Sequence, residues 1–270
     1  MQVQFFCPRW GSESIAWNSF CASVKTAGYH GIESSLPLDT AERDAICRII
    51  GDHNLILIAD YYQSFEKDFE EHLESYKRHL YSLAATKPAL IDAQTGRDFF
   101  TFEQNKLLFD TAQTISEKTG IKILHQTHRN KALFAAHIAN DFLCNIKNIE
   151  ITADFSHWCT VAESYLEDQE EALDLACTRA RHIHARVGHT QAPQVVDPLL
   201  PEWAYALECH TKWWKRIFEV NKQNGAAVLT VTPEFGPAPY MLLSPFNQQP
   251  IANQWEINCW MVKYLKEQLL

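Results

Sequence analysis

The stretch A-V-L-T-V-T-P-E-F-G-P, residues 227–237, is a short β-branched run that ends in a proline and a carboxylate, Glu234. Runs of this length suit a buried strand. Seven more precede it: 3–7 (VQFFC), 31–34 (GIES), 55–60 (LILIAD), 89–93 (ALIDA), 121–125 (IKILH), 148–153 (NIEITA) and 182–187 (HIHARV). A longer amphipathic segment follows each strand, at 14–26, 40–50, 65–86, 103–119, 131–144, 160–180, 202–224 and 251–268. Strict alternation of strand and helix implies a parallel sheet, because parallel neighbours need a crossover. Eight evenly spaced units predict a closed (β/α)8 TIM barrel of the α/β class. The rival open, doubly wound sheet would carry a G-x-G-x-x-G after the first strand, and none is there. The 270 residues match the usual size of one barrel, and no linker or low-complexity segment divides them, so residues 1–270 read as a single domain.

Chemical punctuation agrees with this pattern. Thr40, with Glu42 and Arg43 behind it, marks a helix start, while Gly28, Gly120 and Gly225 close helical patterns just before strands. The formal net charge of -9 argues against a nucleic-acid partner, which would need a basic stripe to displace phosphate counterions. The eight cysteines are scattered singly and read as reduced, structural thiols. No run approaches a membrane span and the first residues do not resemble a signal peptide, so the expected location is the cytoplasm.

In a barrel of this kind, function resides at the C-terminal ends of the strands. Those positions hold Glu33, Asp60, Asp92 with Gln94, H-Q-T-H-R-N (His125–Asn130), D-F-S-H-W (Asp154–Trp158), H-I-H-A-R (His182–Arg186) and Glu234. Asp154, His184 and Glu234 lie on three consecutive strands. Two carboxylates and an imidazole gathered at a barrel mouth are costly to desolvate unless a cation pairs with them. Mixed N/O ligation suits Zn, Mn or Co better than Mg or Ca. His182 is read as facing away from the lumen, a packing or supporting residue. His53, His72, His79, His137 and His210 are read as solvated helix residues. Trp213 and Trp214 are read as core or as an interface between copies, which leaves a homo-oligomer open. Trp10, Trp158 and Phe235, following strand ends, are expected to wall the mouth with aromatic rings and keep water from a metal there.

G-Y-H-G-I-E (Gly28–Glu33), H-Q-T-H-R (His125–Arg129), D-F-S-H (Asp154–His157), H-I-H (His182–His184) and T-P-E-F-G-P (Thr232–Pro237) occur in that order along nearly the whole chain. Together they resemble the xylose-isomerase-like TIM-barrel superfamily, which includes sugar-phosphate isomerases and epimerases, ketose 3-epimerases, hydroxypyruvate isomerase and endonuclease IV. The resemblance implies one divalent metal ion held by Gln126, Asp154, His184 and Glu234. It implies a substrate oxygen bound by His157, and Arg186 near a substrate hydroxyl or carboxylate. Glu234 and His157 are the candidate catalytic residues, and His157, Arg186, Trp10, Glu33, Trp158 and His128 the candidate substrate contacts.

The expected activity is metal-dependent isomerisation or epimerisation of a small sugar, sugar phosphate or sugar acid through an enediolate. Gln126 departs from the pattern, since family isomerases carry Glu there and an amide cannot serve as a general base. The second proton-transfer group is therefore left among His125, His128, His157 and Glu33. Two alternatives follow. One is a sugar-binding barrel with altered catalysis. The other is an endonuclease IV-like phosphodiesterase, disfavoured because Asp60, the Asp92–Gln94 segment and H-T-Q-A-P-Q (His189–Gln194) stand where a trinuclear site would need histidines.

Overall fold

The computed structural model describes residues 1–270. Eight strands, β1 (Gln2–Pro8), β2 (Gly31–Ser34), β3 (Ile56–Tyr61), β4 (Leu90–Ala93), β5 (Ile123–Gln126), β6 (Ile151–Ala153), β7 (Ala180–His184) and β8 (Val228–Thr232), are all parallel and close in sequence order. The helices between them are α1 (Trp17–Thr26), α2 (Thr40–Asp52), α3 (Phe69–Ala84), α4 (Phe102–Thr119), α5 (Ala136–Asn145), α6 (Ser156–Ala162), α7 (Glu170–Arg179) and α8 (Ala204–Gln223), and α9 (Gln254–Leu269) ends the chain. This is the expected (β/α)8 barrel.

Local chemistry sets many of the boundaries. The Asp39 side chain accepts from Glu42 N at the start of α2, and Thr101 and Gln104 form a reciprocal capping box on α4. Gly120 takes φ 73° at the end of α4, the left-handed turn that a glycine permits. The segment expected as one helix over 160–180 is two, α6 and α7, because Glu163 and Leu166 adopt φ of 52° and 64° between them. Strand β7 begins two residues earlier than expected and stops at His184, where Arg186 N turns back to donate to His184 O at 3.0 Å. That turn brings Arg186 over the mouth.

Two separate apolar clusters result. The main core lies between the sheet and its helices. A small one of Phe6, Ile58, Leu90 and Leu124 plugs the lumen from β1, β3, β4 and β5. Gly31 leaves room for that plug: a Cβ there would lie 2.5 Å from the Phe6 ring and 2.2 Å from Ile56 O. Glu33, Thr152, His182 and Thr230, from β2, β6, β7 and β8, are all buried and polar. Half of this barrel interior is therefore built of hydrogen-bonding groups, unlike the Val/Ile/Leu layers usual in such barrels.

His72 and His210, expected in solvent, are both fully buried. The reason for His210 is plain. Its Nδ1 donates to Ala206 O at 2.9 Å, and its Nε2 accepts from Gly188 N at 3.2 Å, tying α8 to the loop after β7. Burial drives its pKa down to about 4, so it stays neutral. No helix is long and apolar enough to cross a membrane.

Candidate metal centre

Residues two apart on a strand face the same side. His182 and His184 therefore share the lumen, with ring centroids 5.1 Å apart, which corrects the outward orientation expected for His182. Its Nε2 lies 3.2 Å from Glu33 Oε2 and its Nδ1 2.7 Å from Thr230 Oγ1. By the same rule, His125 faces outward, against Thr95 and the Phe109 ring. It is thereby removed from the proton-transfer candidates.

His184 is the hub of the mouth. Its Nδ1 lies 2.9 Å from Glu234 Oε2 and 3.0 Å from Gln126 Nε2, and its Nε2 lies 3.0 Å from Glu33 Oε1 and 3.5 Å from Asp92 Oδ2. Asp154 Oδ1 accepts from Ser156 N at 3.2 Å and from Ser156 Oγ, while its Oδ2 pairs with Arg186 Nη2. Arg186 also reaches Glu234 Oε2 at 3.4 Å. Barrel closure thus gathers Asp154, His184 and Glu234 so that one ligand atom of each lies within 4.8 Å of the others.

These residues fit a divalent cation. Glu33 takes the Nε2 side of His184, so Nδ1 is the nitrogen turned toward Glu234 and Gln126 and the one that would ligate once deprotonated. Gln126 Oε1 is buried with no partner, and Glu234 Oε2 accepts no aligned hydrogen bond. Buried oxygens left without a donor beside an imidazole are what a cation would satisfy, with the Gln126 amide turned so that Oε1 replaces Nε2 toward His184. The donor set would be Gln126, Asp154, His184 and Glu234, with Asp154 sharing its carboxylate between the ion and Arg186. A second acidic and imidazole group, Glu33 with His182 and His184, meets on the other face of the same ring.

Charge in this cluster is tightly balanced. Burial alone would lower His184, but Glu234 and Glu33 outweigh it and hold the imidazole well above its usual pKa. Burial would raise Glu234, yet His184 and Arg186 keep it below the usual carboxylate value. Glu33 is likewise lowered, against its own burial, by His184 and His182. Asp92 goes the other way. Burial pushes it up to about 7, His184 offsetting part of the rise, and neither of its buried oxygens finds a hydrogen-bond donor. Asp60 is raised well above its usual value by burial and then by the Asp92 and Glu33 charges.

A cavity of about 710 Å³ opens above the cluster. Trp10, Glu33, Gln126, His128, Arg186 and Glu234 line it, as do Asp60, Lys131 and Tyr240. Two expected aromatic walls are elsewhere. Trp158 is fully buried on α6, donating Nε1 to Leu133 O at 2.9 Å and stacking on Phe155, and Phe235 is also fully buried. The tight turn after Asp154 starts α6 at once and swings Trp158 behind the barrel. Tyr240 supplies the missing wall, 5.0 Å from the Trp10 ring and 4.8 Å from the Arg186 guanidinium. It lies in the long β8–α9 loop, where no motif marks it.

His157 is also off the cavity wall. It is fully buried, its Nε2 2.9 Å from Arg186 Nη2 and its ring 3.9 Å from that of His128. Burial, then His128 and Arg186, hold it neutral. In this geometry it packs behind Arg186 and is not among the residues that line the cavity. Glu33 borders the cavity with both oxygens committed to histidines, so it orients His184. Replacing Glu33 with alanine is expected to weaken Mn²⁺ or Zn²⁺ affinity roughly 10–100-fold, as loss of a ligand's supporting carboxylate does; isothermal calorimetry would check it.

No protein-family model matches the chain, and no curated protein is similar to it in sequence. Solved structures do match. A xylose isomerase domain-containing protein from Salmonella typhimurium is 12% identical, covers 99% of this chain and 97% of its own, and has a TM-score of 0.64. A D-allulose 3-epimerase from Methylomonas sp. is 14% identical, covering 99% and 98%, with a TM-score of 0.63. Endonuclease IV from Thermus thermophilus is 13% identical, covering 100% and 99%, with a TM-score of 0.57. The closed eight-stranded barrel, matched end to end by these structures, is the fold that this chain shares with them.

Proposed function

We propose that this chain is a metal-dependent isomerase or epimerase of a small sugar, sugar acid or sugar phosphate. The observation that carries the reading is the double position of Glu234. Its carboxylate belongs to the clustered donor set, and it is 16% exposed and lines the cavity, whereas the Asp154 and His184 side chains beneath are 0% and 2% exposed. A carboxylate kept ionised by His184 and Arg186 and facing a sugar-sized cavity is placed to take a proton from carbon.

A divalent ion in the donor set would draw charge from adjacent carbonyl and hydroxyl oxygens and acidify the C–H between them. The protein's own groups account for the remainder. Arg186, fixed by Asp154 and His157, presents its guanidinium to a substrate oxygen and holds Glu234 in place. Gln126 offers an amide oxygen where a second base would otherwise stand, so the other face of the substrate needs a different group. Asp60 fits that role. It lines the cavity from β3, three strands round the barrel from β8, its side chain makes no hydrogen bond or ion pair, and burial with the Asp92 and Glu33 charges raises its pKa well above the usual carboxylate value. In an epimerisation Glu234 takes the proton from one face and Asp60 returns one to the other. The two carboxyls then regain their starting states by exchange with solvent.

The test is wash-in of solvent deuterium at carbon when Mn²⁺-loaded protein meets a panel of ketoses, aldoses and sugar acids in D₂O. Deuterium is expected at the carbon next to a carbonyl, read by NMR. A panel that binds with no exchange would favour a sugar-binding barrel, a reading that Gln126 and the Asp154–Arg186 pair support. A phosphodiesterase role is disfavoured by the ionised Glu33 and Glu234 in the lining, which would repel a nucleic-acid backbone.

A further inference from the structure

The mouth cavity is acidic on its floor and basic at one edge. The edge is formed by the loop after β5, where Lys131 is only 3% exposed. Its ammonium reaches neutral groups alone, Ser64 O at 3.2 Å and Ser64 Oγ, and pairs with no carboxylate. Arg97 adds a second cation to the same place, donating from Nη1 to Ser64 O at 3.4 Å and to Phe65 O at 3.0 Å, and from Nη2 to Asn130 Oδ1 at 3.1 Å. Two positive charges therefore converge on one carbonyl with no anion between them.

Burial of an ammonium without a counter-charge is costly. The Phe65 ring, 5.5 Å from Nζ, offsets part of that cost but supplies no counter-charge. The acids that act on Lys131, Asp98, Glu66 and Asp60, do so from beyond ion-pair distance. Burial and Arg97 lower the Lys131 pKa to about 8, which still leaves it mostly charged at neutral pH. A purely structural tie between the β3 and β5 loops would need only a neutral donor. An ammonium has three N–H groups; Ser64 takes two, and the third is left for the cavity that Lys131 lines.

We propose that Lys131 is the anion-binding residue of the mouth cavity, and that the substrate is a sugar acid or sugar phosphate whose carboxylate or phosphate seats at this edge. Its hydroxyl and carbonyl oxygens then point toward Glu234 and Arg186. The inference rests on the reading of the cavity as a substrate site, and it narrows the neutral sugars out of that reading.

Calorimetry with three probes, D-glucose, D-glucuronate and D-glucose 6-phosphate, tests it on the metal-loaded protein. At least one anion is expected to bind about tenfold or more tightly than glucose, the worth of one charge-assisted hydrogen bond. Preference for glucuronate identifies a carboxylate site, and preference for glucose 6-phosphate a phosphate site. Lys131→Met should erase the preference and Lys131→Arg should keep most of it. Equal binding of all three, failure of both anions to bind, or a preference that survives in Lys131→Met would overturn the proposal. Should Lys131→Met not fold, lysine ¹³C NMR of the wild type reads the same contact, because a bound anion raises the Lys131 titration and glucose does not. None of these readouts needs turnover. A chain that binds the acid yet exchanges no deuterium keeps this site and loses the isomerase reading.

Discussion

Replacing Glu234 with glutamine is expected to lower deuterium exchange at substrate carbon by roughly 10²–10⁴-fold, the usual worth of a positioned base. The amide fills the same volume and can still ligate through oxygen, and Arg186 keeps its pairing with Asp154. Fold and metal content should therefore persist, and circular dichroism with metal analysis separates loss of chemistry from loss of structure. The same change at Asp60 should suppress epimerisation while leaving Glu234-dependent exchange on one face. Full activity in Glu234→Gln would remove this carboxylate from the mechanism.

The second large effect concerns the ion. Saturating Mn²⁺ or Zn²⁺ at about a thousand times its dissociation constant should stabilise the fold by about 4 kcal/mol. For a chain of this size that is a rise in thermal midpoint on the order of 10 °C. Asp154→Ala should abolish most of the rise, as should chelation by EDTA.

The pH dependence has a definite sign. In the metal-free chain His184 has a raised pKa. Its contribution to stability is present in full below the unfolded value of about 6.5 and is lost as pH climbs through the raised one. The bound ion needs the Nδ1 lone pair, so it must displace that proton. Metal affinity therefore rises with pH, by up to about tenfold per unit, and each binding event releases a proton. Calorimetry in buffers of different ionisation enthalpy measures the release. A midpoint shift that shrinks as pH rises would contradict this arrangement.

The catalytic reading and the anion site make different demands on the mouth. Glu234 needs an electron-poor substrate at the floor, while Lys131 needs negative charge at the rim. A sugar acid or sugar phosphate reconciles them, with its neutral oxygens inward and its anionic end outward. The ionised carboxylates of the floor, Glu33 and Glu234, would themselves orient such a molecule by repelling its charged end.

The eight-unit alternation, the closed parallel barrel and the clustering of Asp154, His184 and Glu234 were all legible in the chain. Period and strand order are local properties, and barrel closure turns neighbouring strand ends into neighbours in space. The side of the strand that His182 faces was equally local, being two residues from His184, yet only the lumen contacts make the consequence plain. Other features depend on tertiary structure. The split of 160–180 into α6 and α7 depends on two left-handed residues, neither of them glycine. Trp158 is carried into the core because α6 starts directly after β6, whereas Tyr240 reaches the mouth from a loop without periodicity. The isolation of Lys131 beside Ser64 joins loops 67 residues apart in sequence. Whether a charge has a partner is a fact about distances across the fold, and a linear chain holds no record of those.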